Sequence, residues 1–198
     1  MTQAKPKLTA RDLERIQAKL PDYQMELVGG KITVMSPCGM EPDEVALEIG
    51  RQLANWVRPR RLGRVTGSSG GFKPPTSSNP DGDVRAPDVS FVRAERMIHT
   101  TEDYAELAPD LMFEVKSKTN SLEELREKIQ EFLDLGTQVG VLVDPRTSTL
   151  EVSQKGKPKV VLTNGDILTI PELLPGWEME VSSIWAPDFE DIGNGDIQ

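Results

Sequence analysis

One cysteine and one histidine are all that the 198 residues offer of the two strongest transition-metal ligands. A lone Cys38 excludes an intramolecular disulfide and any cysteine-built zinc centre. A lone His99 excludes paired-histidine metal motifs. Aromatic residues make up only 5% and hydrophobic residues 37%, the polar end of the globular range. No apolar run approaches the ~18 residues of a membrane span. Met1-Thr2-Gln3-Ala4-Lys5-Pro6 lacks the apolar stretch of a secretion signal, so the expectation is a cytoplasmic protein with no membrane partner. Positive charge is scarce too: 23 Lys and Arg face 32 Asp and Glu, a net charge of −9. That argues against broad electrostatic capture of nucleic acid. It leaves room for a local basic groove, or for an acidic site that takes a divalent cation.

What is present is a chain long enough for one domain with a real core. Thr9 followed by Asp12 predicts a helix cap, and Leu13, Ile16 and Leu20 give that helix an apolar stripe up to Pro21. Met25–Val28, Gly29-Gly30 and Lys31–Met35 predict a β-hairpin. Pro42 opens a second helix with Val45, Ile49, Leu53 and Trp56 at helical spacing, closed by Pro59. Residues 74–83 read as a polar loop. Strands are expected at 88–92 and 111–116, and Ser121 with Glu124 caps a third helix that ends near Gly136. Val139–Val143 is a continuous apolar run, as in a strand covered on both faces. Short strands and turns fill 149–185. The organisation expected is an N-terminal helix at 1–20, a single α/β (α+β) domain at 21–185 and a loose acidic tail at 186–198.

Phe113-Glu114-Val115-Lys116 places an acid and a base two positions apart in an apolar strand. Strand side chains alternate, so both point to one face, roughly 7 Å apart. An edge strand salted with charge is the plain explanation; half of a metal site is the other. The second acid is Asp88, which begins the preceding strand and can lie beside Glu114 in a neighbouring position. Asp110, at the entrance of the Glu114 strand, belongs to its far end. Hard cations such as Mg²⁺ or Mn²⁺ want oxygen ligands, commonly one or two carboxylates with water and a substrate phosphate. Asp88, Glu114 and the Val115 backbone carbonyl supply such a set, with Lys116 next to the attacking water.

Pro87-Asp88 followed by Glu114-Val115-Lys116 resembles the PD-(D/E)xK signature of restriction-endonuclease-like nucleases. Glu26-Leu27-Val28-Gly29-Gly30, Met35-Ser36-Pro37, Arg85–Val92, Pro109-Asp110-Leu111 and Val141–Pro145 follow in one order, and together they resemble the Uma-two family, formerly a domain of unknown function. The similarity covers roughly residues 20–180. It implies a restriction-endonuclease-like mixed β-sheet flanked by helices, with Asp88 and Glu114 as the metal acids. It also implies that Lys128, on the following helix, matches a lysine typical of the family and is a catalytic residue that assists Lys116 in positioning the water, while Phe132 stands where many members have tyrosine. Glu41 and Glu26 are further candidate acids. The implied activity is a metal-dependent endonuclease acting on phosphodiester bonds, in DNA before RNA. By analogy with restriction-like nucleases, it works as a homodimer. The alternative is a non-catalytic binding or scaffold module on the same fold.

Other signals have plainer readings. Glu124 and Lys128 are one helical turn apart and fit an exposed pair. Arg85 suits a partner for one of the acids, and Arg58, Arg60, Arg61 and Arg64 suit the negative end of the second helix or a nucleic-acid backbone. Gly67-Ser68-Ser69-Gly70-Gly71 fits the G-x-S-x-G elbow, with His99 downstream. The elbow requires a helix after the serine, which Pro74 and Pro75 deny. Cys38, in a turn, reads as a bystander thiol.

Overall fold

The computed structural model describes residues 7–75 and 82–189. Most of the expected 74–83 loop, the first six residues and most of the acidic tail therefore lie outside the described residues. Helix α1 (Ala10–Gln17) starts where Thr9 caps it: the Thr9 side chain accepts from Asp12 N, and the Asp12 carboxylate accepts from Thr9 N at 3.0 Å. It buries Ala10 and Leu13 against Leu27 and Val84. The helix is shorter than its apolar stripe suggested, and Leu20 is exposed beyond its end. Strands β1 (Gln24–Val28) and β2 (Lys31–Met35) form a separate hairpin. Gly29 and Gly30 make its two-residue turn with φ of 59° and 77°, the left-handed pair such turns require.

Helix α2 (Met40–Val57) begins two residues ahead of Pro42, after Gly39. Val45, Ile49, Leu53 and Val57 are its fully buried side; Trp56, expected there, is only half-buried. Six strands then form the main sheet: β3 (Gly63–Gly67), β4 (Val89–Arg93), β5 (Leu111–Val115), β6 (Val139–Asp144), β7 (Thr149–Gln154) and β8 (Val160–Thr163), hydrogen-bonded in that order. Only β5 and β6 run parallel. A parallel pair needs a crossover, and α3 (Leu122–Asp134) supplies it. Ser121 and Glu124 form the expected capping box at its start, and Gly136 follows its end with φ of 113°. Strands β9 (Ile167–Thr169) and β10 (Glu178–Glu180) pair apart from the sheet.

Alternation sorts β5 between two cores. Leu111, Phe113 and Val115 pack on the side of α2. Met112 packs on the other side, against Leu125, Ile129, Phe132 and Leu133 of α3. Strand β6 is buried along its whole length, as its apolar run requires. At the far end of β5, Asp110 is fully buried and lies 3.1 Å from Arg93 Nε and 3.0 Å from Arg96 Nη1. The glycine-serine stretch after β3 is a turn in which Gly70 N donates to Gly67 O, with no helix after it, and His99 is exposed. No described helix is long and apolar enough to cross a membrane.

Candidate active site

Strands β4 and β5 are antiparallel, with Val89 opposite Phe113. One step further along the same register brings Asp88 opposite Glu114, and Pro87 opposite Val115. Proline has no N–H to offer the ladder. The Asp88 carboxylate reaches across to the Val115 donor, and Oδ2 accepts from Val115 N at 2.7 Å. The N–H and C=O of a strand residue face the same neighbour, so the Val115 carbonyl also faces the Asp88 end of β4. It cannot receive a ladder hydrogen bond from Pro87.

Glu114 shares the α3 face with Met112 and is 3% exposed. Lys128, from the buried side of α3, meets it there: Nζ lies 2.9 Å from Glu114 Oε1. The contact is ionic rather than a well-angled hydrogen bond, and Oε1 has no hydrogen-bond donor of its own. The ammonium also donates to the Ala86 carbonyl at 2.9 Å and to Glu26 Oε1 at 3.4 Å. A lysine has three N–H groups and no acceptor, and three protein oxygens surround this one. Lys128 therefore departs from the exposed pair with Glu124: its carboxylate is engaged by the Ser121 N–H and hydroxyl, and Lys128 points inward.

The charges are crowded. Burial pushes Glu114 up to about 7, against the attraction of Lys128, and Asp88 and Glu26 push it the same way. Burial likewise raises Asp88, opposed by its bond from Val115 and by Lys128. Burial alone would lower Lys128, but Glu114 and Glu26 outweigh it and keep the ammonium charged. Three buried or half-buried acids thus face Lys128 and, at Glu26, Arg85 at 3.5 Å.

The remaining expected residues fall in different places. Lys116 is half-buried, and its ammonium donates to the neighbouring Ser117 carbonyl. Glu41 stands exposed in the first turn of α2; the acid of that turn whose charge reaches Asp88 is Asp43. Sequence reasoning missed Asp43, although its place two residues along from Glu41 on the same turn was visible. Glu26 is brought to the site more firmly than expected. Arg85 serves the acids, contacting Glu26 and Glu131. The Arg58–Arg64 cluster lies at the opposite end of the sheet, because Gly63 pairs with Arg93 while Gly67 pairs with Val89 beside Asp88. There Arg60 covers the Trp56 ring and Arg64 donates to the carbonyls of Met97 and Ile98. Cys38 is exposed, and the partial desolvation of its thiol, with the charges of Asp43 and Asp88, raises it.

Among the described residues no three His, Cys, Asp or Glu side chains cluster to enclose a metal ion. The donors present are two carboxylates and one backbone carbonyl, all hard oxygens. That set fits a cation such as Mg²⁺, which keeps several waters and shares its shell with substrate.

No curated protein matches the chain. Among solved structures, a protein described as "a putative nuclease belonging to DUF820 from Anabaena variabilis" superposes with a TM-score of 0.73 at 20% identity, over 89% of this chain and 97% of that one. It shares the fold of this chain. The family profile Uma2, described as "Putative restriction endonuclease", matches residues 10–182. That stretch runs from the first residue of α1 to beyond β10 and takes in the whole candidate site, and the chain belongs to the Uma2 family.

Proposed function

We propose that this chain is a metal-dependent endonuclease that hydrolyses phosphodiester bonds in DNA, acting as a homodimer. The observation that carries the reading is that Asp88, whose Oδ2 accepts from Val115 N, sits close enough to the buried Glu114 for its charge to act on it. Asp88, Glu114 and the Val115 carbonyl would hold Mg²⁺ or Mn²⁺. Such a cation, when bound, polarises the scissile phosphate and lowers the pKa of a coordinated water. Lys116, released from the Ser117 carbonyl, is the ammonium free to swing toward that water and the developing negative charge. Lys128 holds Glu114 in place and supplies its counter-charge. The dimer is carried over by analogy with restriction-like nucleases, many of which cut two strands as pairs.

A second reading, a binding module on the same fold, draws on one specific feature: the ammonium groups of Lys116 and Lys128 both sit on protein oxygens. The two readings part in one assay. Supercoiled plasmid, single-stranded and branched DNA are incubated with Mg²⁺, Mn²⁺ or EDTA, with wild type beside Asp88→Ala and Lys116→Ala. The nuclease reading expects metal-dependent cutting that both variants lose. No cutting of any substrate, with no rise in melting temperature on adding metal, would favour the binding module.

A further inference from the structure

The β1–β2 hairpin lies outside the main sheet. Even so, its Glu26 is buried, at 6% exposure, among groups that frame Asp88 and Glu114. Oε1 accepts from Ala86 N at 2.8 Å and from Lys128 Nζ at 3.4 Å, and Oε2 lies 3.5 Å from Arg85 Nε. The Ala86 carbonyl accepts from the same Lys128 at 2.9 Å. Both polar groups of the Ala86 backbone are thus gripped, the N–H by Glu26 and the C=O by Lys128, two residues before Asp88. Both Glu26 oxygens already face protein N–H or cationic groups.

We propose that Glu26, together with Lys128, is a positioning residue: it fixes the Ala86–Asp88 backbone and so holds the Asp88 carboxylate opposite Glu114, without itself meeting cation or phosphate. The proposal rests on the reading of Asp88 and Glu114 as the acids of the site. A carboxylate is needed because Lys128 is a buried ammonium. With a neutral side chain at position 26, its attraction to Glu114 is unopposed, and it draws away from the Ala86 carbonyl.

The Val115 amide reports on Asp88 directly, since Asp88 Oδ2 is its acceptor. The test measures amide hydrogen exchange in metal-free wild type, Glu26→Gln and Asp88→Asn, and then Mn²⁺ affinity of the same three. Glu26→Gln is expected to speed Val115 exchange about tenfold while leaving Val141, in the middle of β6, unchanged. Its Mn²⁺ affinity is expected to fall by about 10- to 100-fold, the usual effect of removing a group that orients a ligand. Unchanged Val115 exchange would overturn the proposal. So would loss of Mn²⁺ as complete as in Asp88→Asn, which would make Glu26 a ligand. If wild type takes up no Mn²⁺, the metal reading fails while the Val115 amide still decides the positioning role. Glu26→Asp keeps the charge but withdraws Oε1 from Ala86; it is expected to give the same local rise and carries the test should Glu26→Gln not fold.

Discussion

Glu114 stands where the alternation of β5 reserves a place for an apolar side chain, beside Met112 and under α3. A carboxylate there is costly unless paired, and Lys128 offsets that cost only in part, because burial still lifts Glu114 from its ordinary 4.5 to about 7. The sign of the consequence follows. Between those values the folded chain binds more protons than the unfolded one, so this group's contribution to stability declines as pH rises through the window. Asp88, also raised, acts in the same direction. Glu151, held down to about 2 chiefly by Arg126, acts oppositely and at lower pH. In EDTA, wild type is expected to lose on the order of 2 kcal/mol from Glu114 between pH 4.5 and 7.5. Urea midpoints of wild type and Glu114→Gln across that range check this: the variant should have the flatter profile, and parallel profiles would refute the assignment.

Elements set the direction each of these side chains takes. Strand β5 carries an acid at each end, and Asp110 resembled Asp88 in sequence because both follow proline. Their environments separate them. Besides its two arginines, Asp110 accepts from Arg93 N at 2.9 Å and Gln138 Nε2 at 3.0 Å, a closed arrangement that ties β4, β5 and the approach to β6. Asp110→Ala leaves the Arg93 N–H and Gln138 amide without their acceptor, while the half-exposed arginines can turn to water, and is expected to cost about 1–3 kcal/mol, measured by chemical denaturation. Divalent-metal affinity should be retained, since the site is at the other end of the strand; its loss would show that the two ends are coupled. The elements themselves were largely legible, because caps, turn glycines and apolar periodicity are local. Thr9–Asp12, Ser121–Glu124 and Gly29-Gly30 all appear where the sequence placed them. The inward turn of Lys128 was signalled only by the family resemblance, not by its spacing. Four residues from Glu124 on a helix, it has the spacing of a surface pair, and only the docking of α3 on β5 decides which face is covered. Glu26 was named as a candidate acid, but its partners were not legible, being 60 and 102 residues away in the chain.

At the scale of the whole molecule, the parallel pair β5–β6 of the main sheet dictates the site. It obliges α3 to cross one face of the sheet, and that crossing delivers Lys128 to Glu114. The hairpin then closes over Lys128 through Glu26. An unfolded chain has none of these oxygens near one another, so a cation held by Asp88 and Glu114 would bind only the folded state. At a hundred times its dissociation constant it would add about 2.7 kcal/mol. For a chain of this size that corresponds to a rise of roughly 5–10 °C in melting temperature. Mg²⁺ or Mn²⁺ is expected to produce such a rise in wild type, EDTA to reverse it, and Asp88→Ala to show none. The rise should also be larger at pH 8 than at pH 6, because protons compete for Glu114 below about 7. An equal rise in Asp88→Ala would move the cation to some other group. A rise in wild type that ignores pH would remove Glu114 from its shell, leaving Asp88 and the Val115 carbonyl too few oxygens to set the chemistry.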